Sequence, residues 1–262
     1  MPILVLPISG HSTQQIATAR VVSTSALDGS KSKRAKKLTL LSTDGGQRLE
    51  VVWKAATTQG ETRGGNVPAG QAYKRELAAY LIASALRLTP VPPVVVRLVG
   101  GVRGTAMLFV HAPTWKESAL EFDDAPVVEW QKLALLDWLL GSLDRHRRNW
   151  LVTEDRTFVA IDNGLCLPER EAWGRWRGYR SKPHRLLSDN GGLHLPEVLV
   201  ERLTSRMRAR IEGIMASCKI GTGARRLFSA RFDRIARGDG TLPDYVADDK
   251  GFMEPMRLEG AE

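Results

Sequence analysis

The sequence predicts an α+β chain in two unequal parts, a strand-rich N-terminal part carrying one helix and a mostly helical C-terminal part. Three observations predict it. Short β-branched runs separated by turn residues fill residues 20–54, an alanine- and leucine-rich run at helical spacing follows at 71–88, and longer helical patterns dominate beyond residue 127. At 262 residues the chain suits one unit of two lobes sharing a cleft better than two independent domains with long linkers.

Taken in order, Pro2 to Ile8 is apolar but short, with no basic flank before it, so it reads as a first strand rather than a secretory leader. Arg20–Thr24, Lys37–Leu41 and Arg48–Lys54 read as three strands of an antiparallel meander, separated by Asp28-Gly29-Ser30 and Asp44-Gly45-Gly46. A glycine-rich loop spans Gly60–Gly70. The helix from Gln71 to Leu88 then stops before Thr89-Pro90, because proline disfavours helical geometry in the residue preceding it. Val94–Val99 and Thr105–Val110 read as a hairpin whose connection opens with Gly100-Gly101. Further on, Val127–Gly141 places Trp130, Leu133, Leu136 and Leu140 on one face of a helix, and Pro196–Ser217 and Ala224–Gly238 show weaker amphipathic patterns. Two short strands, Trp150–Val152 and Phe158–Ile161, lie between these helices. The acidic, proline-containing end beyond Asp239 reads as a loose tail.

Composition sets bounds on function. With 43% hydrophobic and 26% charged residues the chain is of ordinary globular make-up, which excludes collagen-like, coiled-coil and disordered classes. Cys166 and Cys218 have no CxxC spacing and no neighbouring histidine cluster, which argues against a zinc site or disulfide framework and for a reducing, cytoplasmic setting. No run approaches the roughly 18 apolar residues that span a bilayer. A net charge of +9 and a pI near 9.8 predict an anionic partner, which nucleotides, nucleic acid, acidic proteins and anionic lipid all satisfy. Nucleic acid is supported by charge alone.

The densest chemical signal is Asp144-Arg145-His146-Arg147-Arg148-Asn149, followed after a short hairpin by Ile161-Asp162-Asn163-Gly164. Either segment alone also suits a solvated charged loop or a plain turn. Together they supply what phosphoryl transfer needs: a carboxylate beside the attacking hydroxyl, and an amide oxygen plus a second carboxylate to hold magnesium against nucleotide phosphates. Asn163-Gly164 is expected to permit the sharp bend.

On these residues the sequence resembles the phosphatidylinositol 3- and 4-kinase superfamily, in which D-R-H-x-x-N precedes an I-D-x-G metal motif. The resemblance is strongest to the type II phosphatidylinositol 4-kinases, on Asp144-Arg145, Asn149-Trp150-Leu151 and Ala160-Ile161-Asp162-Asn163-Gly164-Leu165, with Pro168 after them. Lys74–Ile82 followed by Val91-Pro92-Pro93-Val94 is also similar to bacterial relatives of these enzymes, so the likeness covers roughly residues 50–168. It departs from the type II pattern in lacking a palmitoylated cysteine cluster, in His146 after Asp144-Arg145, and in the basic pair Arg147-Arg148.

The resemblance implies a bilobal protein-kinase-like fold, with residues 1–112 as N-lobe and 113–262 as C-lobe, that uses ATP and Mg²⁺. Lys54 would contact the nucleotide phosphates and Glu76 pair with it; the base would lie against Phe109 and Val110 of the interlobe linker. Asn149 and Asp162 would ligate Mg²⁺. Asp144 and His146 are alternative bases for the acceptor hydroxyl, His146 also reading as a structural histidine, and Arg145 would pair with a carboxylate to shape the loop. Arg147 and Arg148 either meet an anionic acceptor or are solvated. The acceptor itself is open between an inositol lipid headgroup and a protein Ser/Thr hydroxyl, and a nucleotide-binding pseudokinase is the non-enzymatic alternative. Residues 170–185, where Trp173, Trp176 and Tyr179 interleave with arginines and Lys182, read as a peripheral membrane contact, an acidic-protein contact, or packing under the cleft.

Overall fold

In the computed structural model the described residues are 10–27, 35–42, 46–56, 67–170 and 181–244. The expected strand at 2–8, the turn Asp28-Gly29-Ser30, the glycine-rich stretch up to Asn66 and the aromatic residues Trp173, Trp176 and Tyr179 lie outside them.

Alternation of side chains builds the sheet. After a helix α1 (Gly10–Thr18), strands β1 (Arg20–Ala26), β2 (Ala35–Leu41) and β3 (Arg48–Ala55) form the expected meander. Helix α2 (Ala72–Leu86) precedes β4 (Val94–Val99) and β5 (Val102–Leu108), which returns to pair with β3, giving the antiparallel order β1-β2-β3-β5-β4. Gly100 and Gly101 both have positive φ, 57° and 78°, the conformation that a two-residue hairpin connection requires and side chains resist. Leu38, Leu40, Val51, Trp53, Ala55, Ala106 and Leu108 pack one face of the sheet together with Ile16 and Ala19 from α1 and its C-terminal flank. Arg97 of β4 fastens that segment by donating to the carbonyls of Ile16 and Ala19. Ala35, Val52 and Met107 face the other way, into the main core. The period of two therefore turns Lys54 toward that second side, in a strand flanked by β2 and β5 and not at an edge.

The C-terminal part is built round α4 (Val127–Leu140). Its run WQKLALLDWLL is apolar on nearly every side, and residues 133–140 are all buried, so α4 is a central helix rather than the one-faced helix the spacing predicts. Beside it Trp115 of the short helix α3 (Trp115–Ser118), Trp130, Trp150 and Phe158 form an aromatic cluster with centroids 4.7–6.3 Å apart, edge-to-face except for the stacked Trp115–Trp150 pair. Strands β6 (Trp150–Val152) and β7 (Phe158–Ala160) form a small hairpin, followed by a single 3₁₀ turn at 163–165.

Four helices complete it: α5 (Lys182–Asp189), α6 (Glu197–Val200), α7 (Ser205–Ser217) and α8 (Thr222–Arg237). The expected helix 196–217 is thus two, because Thr204 starts afresh by accepting the Met207 amide at 3.1 Å as an N-cap. Residues 239–244 do not hang loose: Leu242 is fully buried and its amide donates to the Leu193 carbonyl at 2.9 Å. Among the described residues no helix is long and apolar enough to cross a membrane.

Candidate active site

The junction of sheet and helices is tied by one lysine. Lys54, next to last in β3, donates to Glu76 Oε1 of α2 at 3.0 Å and to Asp162 Oδ1 at 2.7 Å. The Glu76 side chain is nearly buried, and its other oxygen accepts the Asn163 backbone amide at 3.0 Å. The same carboxylate thus holds the lysine and the loop that carries Asp162. Exposure grades outward: the Lys54 side chain is 22% exposed and that of Asp162 57%, so the Asp162 carboxylate faces the cleft.

Burial alone would lower the pKa of the Lys54 ammonium, but the attraction of Asp162 and Glu76 outweighs it and leaves the pKa above the ordinary lysine value. Reciprocally, the Lys54 charge holds the Asp162 carboxyl below the usual carboxylate range, against the opposing effect of burial. Both groups are charged at neutral pH.

Asp162 sits in left-handed backbone, φ 55° and ψ 51°. For a non-glycine residue that costs on the order of 1 kcal/mol. The bend expected at Asn163-Gly164 is therefore made by the aspartate itself. Gly164 is needed for a different reason: a Cβ there would lie 3.2 Å from Ala72 Cβ and 3.6 Å from Glu76 Oε1, so its lack of a side chain lets α2 approach. Asn163 is no mere turn residue either; it is buried, and its side-chain oxygen accepts from Arg145.

The loop 144–149 is folded on itself. His146 N–H donates to Asp144 O at 3.0 Å and Asn149 N–H to His146 O at 2.8 Å. Asn149 is buried, and its side-chain amide donates to Asp144 O at 2.8 Å, leaving its Oδ1 as the unengaged end. The Asn149 carbonyl accepts Ile161 N–H at 3.1 Å, which brings Asn149 alongside the residue preceding Asp162. Asp144, half-buried, stands at the mouth of the same loop.

Arg145 lies beneath the loop, only 2% exposed. Its guanidinium donates to Asp137 Oδ1 at 2.9 Å, to Ile161 O at 2.7 Å, to Asn149 O and to Asn163 Oδ1. It thus bonds both to the loop 144–149 and to the segment 161–163. Asp137, fully buried on α4, accepts Ser181 Oγ at 2.7 Å on its other oxygen. Burial raises its pKa, against the pull of Arg145 and Ser181. His146 accepts the Arg148 amide on Nδ1 at 3.3 Å, a contact within the loop, which favours its structural reading. Arg147 and Arg148 are exposed. Lys182 opens α5 directly beside the loop, its amide donating to Arg145 O at 2.9 Å. Partial burial, then the nearby charges of Arg185 and Arg147, lower the pKa of its ammonium, so three cations gather on this side.

After β5, Phe109 N–H donates to Glu50 O at 2.8 Å, and Val110 O accepts the Ala112 amide at 3.1 Å. The Lys37 ammonium stands 4.5 Å from the Phe109 ring centre, and Glu50 joins Lys37 at 2.8 Å to His111 Nε2 at 2.7 Å. Phe109 and Val110 are both half-buried.

Asp137, Asn163, Ser181, Arg75 and Glu169 were not singled out from sequence as supports of the site. A signal existed for one: Asp137 is the lone charge in an eight-residue run, LALLDWLL, and an isolated carboxylate in apolar surroundings needs a partner. Cys166 lies close to the site as a buried free thiol, its pKa pushed up to about 12 by burial.

A five-stranded antiparallel sheet over a helical base, with a strand lysine bridging a helix glutamate and a loop aspartate at their junction, defines a kinase-like α+β fold. Residues 108–189, which carry the loop 144–149 and Asp162, match the family described as phosphatidylinositol 3- and 4-kinase. Over 49 residues it is 47% identical to phosphatidylinositol 4-kinase gamma 4 of Oryza sativa subsp. japonica, a stretch that makes up 17% of this chain and 9% of the rice protein. Among solved structures it is similar to the proinflammatory kinase CtkA of Helicobacter pylori, with a TM-score of 0.47 and 12% identity over 83% of this chain and 92% of that one.

Proposed function

We propose that the chain is an ATP- and Mg²⁺-dependent phosphotransferase, with residues 1–112 and 113–262 as its two lobes. One observation carries the reading: Lys54 joins Glu76 to Asp162 across the junction, with Asn149 held one hydrogen bond away from Ile161-Asp162. Lys54 then serves the ATP phosphates and Glu76 orients it. Asn149 Oδ1 and the exposed Asp162 carboxylate are hard oxygen donors suited to magnesium. Among the described residues no cluster of three or more His, Cys, Asp or Glu forms a cage, which accords with an ion that keeps its waters and is held by one or two side chains plus the nucleotide phosphates. When bound, Mg²⁺ supplies charge neutralisation at the phosphates.

In the reaction the acceptor oxygen forms a bond to the γ-phosphorus as the bond from that phosphorus to the β,γ-bridging oxygen breaks. ADP departs with the bond's electron pair, and the hydroxyl proton passes to the Asp144 carboxylate. Asp144 is preferred to His146 as base because the His146 Nδ1 lone pair is already engaged by the Arg148 amide. Phe109 and Val110 line the proposed base site. Arg147, Lys182 and Arg185 beside the loop favour an anionic acceptor, which an inositol phospholipid or an acidic protein segment supplies. Peripheral membrane contact through 170–185 is part of the lipid version.

The test is labelled ATP with Mg²⁺, offered in parallel to phosphatidylinositol vesicles and to protein extracts. Label in lipid assigns a lipid kinase, and label in protein alone assigns a protein kinase. Nucleotide binding with no transfer in either arm leaves the pseudokinase.

A further inference from the structure

We propose that α2 belongs mechanically to the helical lobe, and that the Arg75–Glu169 pair seated on the start of α8 is the positioning device that keeps Glu76 against Lys54. The inference rests on the reading of Lys54 and Glu76 as a nucleotide-site pair. Arg75 is the neighbour of Glu76 and is fully buried. Its guanidinium donates to Leu167 O at 3.2 Å and to Glu169 Oε1 at 2.8 Å, both on the segment running on from Asp162. The second oxygen of Glu169 accepts the Ala224 amide at 3.3 Å, within the first turn of α8, where an acid complements the unsatisfied amides and the helix dipole. The fit is close: a Cβ on Gly221 would fall 2.3 Å from Glu169 Oε2, and one on Gly223 would fall 2.1 Å from its carbonyl oxygen.

The other end of α2 is tethered independently. Arg202, just before α7, donates to the carbonyls of Leu86 and Arg87, where α2 ends in left-handed geometry at Arg87. Between the two tethers α2 packs on the turn 163–165 and on α7 as well as on β4 and β5. A helix held at both ends by the C-terminal part cannot swing with the sheet. The placing of Glu76 is therefore built into the fold, and opening of the cleft is a motion of the sheet that carries Lys54 relative to a fixed Glu76.

Hydrogen–deuterium exchange of the full chain tests this, with Mg²⁺ and a non-hydrolysable ATP analogue as the probe. In the wild type, exchange across 72–86 is expected to change less than twofold on adding the probe. Glu169→Ala is expected to speed exchange at 72–79 at least tenfold and to make it probe-dependent, with kcat down at least tenfold. Arg202→Ala is expected to loosen the C-terminal end of α2 instead, and it carries the test should Glu169→Ala not fold. Arg208→Ala, which removes an α7–α8 ion pair remote from the site, controls for lost stability and is expected to leave both probe dependence and kcat unchanged. Wild-type exchange at 72–86 slowing tenfold or more with the probe overturns the proposal, as does unchanged exchange at α2 in Glu169→Ala. A wild type that neither binds nucleotide nor transfers phosphate removes the proposed function instead, while the probe-free difference between wild type and Glu169→Ala still decides the latch.

Discussion

The two sides of the site are held by different forces. The loop 144–149 is fixed from below by Arg145, Asp137 and Ser181, all at most 2% exposed, and by backbone hydrogen bonds. Lys54 is held by ion pairs to the nearly buried Glu76 and to Asp162, whose side chain is 57% exposed, so the pair with Asp162 opens toward solvent. Buried, fully partnered polar networks are stiff, because each lost bond strands a group away from water. Half-exposed ion pairs exchange partners at little cost. The contrast suits a site in which the acceptor side stays put while the lysine and the metal-side aspartate re-pair as a nucleotide enters.

The largest effect is expected on the stiff side. Arg145→Ala leaves Asp137 as an uncompensated buried charge and should destabilise the fold by about 3–5 kcal/mol, read as a shift in the denaturant midpoint. Near-wild-type stability would dissolve the contrast. On the exchangeable side, Asp162→Asn should keep the fold and cut phosphotransfer by about 100-fold or more, since it removes charge aimed at the transferring group. A loss of folding instead would place Asp162 with the stiff network.

pH separates the sides further. His184, fully buried on α5 three residues after Ser181, has its pKa pushed down to about 4 by burial, and its Nε2 lies 2.7 Å from Pro243 O. Between pH 4 and 6.5 the unfolded chain holds the extra proton, so this histidine's contribution makes stability rise with pH by up to about 1.4 kcal/mol per unit. His184→Gln should flatten that rise in urea titrations. Asp162 acts lower: its pKa is depressed in the fold, so its contribution is present above the unfolded value near 4 and fades as pH falls through the folded one. Asp162→Asn should therefore change the slope of stability with pH only on the acid limb below about pH 4, while removing a constant contribution above it. The smallest effect is at the seam. Gly164→Ala brings a methyl to 3.2 Å from Ala72 and should cost about 1 kcal/mol, with the rise in KM for ATP exceeding the fall in kcat.

Much of this was legible in the sequence where local rules govern. The meander, the Gly100-Gly101 hairpin, the helix after the glycine-rich loop and the strand–turn carrying Asp162 follow from period and turn chemistry, and the structure brings Lys54, Glu76, Asn149 and Asp162 to one junction. The supports were not legible because their partners are remote in sequence: Arg75 meets Glu169 and Asp137 meets Ser181 only after the helices pack. That Asp162 rather than Asn163-Gly164 makes the bend was missed for a related reason. Glycine is the local favourite for positive φ, whereas here the Glu76–Asn163 bond and the approach of α2 set the backbone. The split at Thr204 shows a cap overriding a continuous helical pattern.

The activity proposed for these residues is transfer of the γ-phosphoryl of ATP. Its most direct measurement is the release or transfer of labelled γ-phosphate from Mg²⁺·ATP by wild type and Asp162→Asn, both confirmed folded. Turnover by the wild type should be lost on chelating Mg²⁺ and be reduced about 100-fold or more in Asp162→Asn. Equal turnover by the two proteins, or turnover indifferent to the metal, would contradict it.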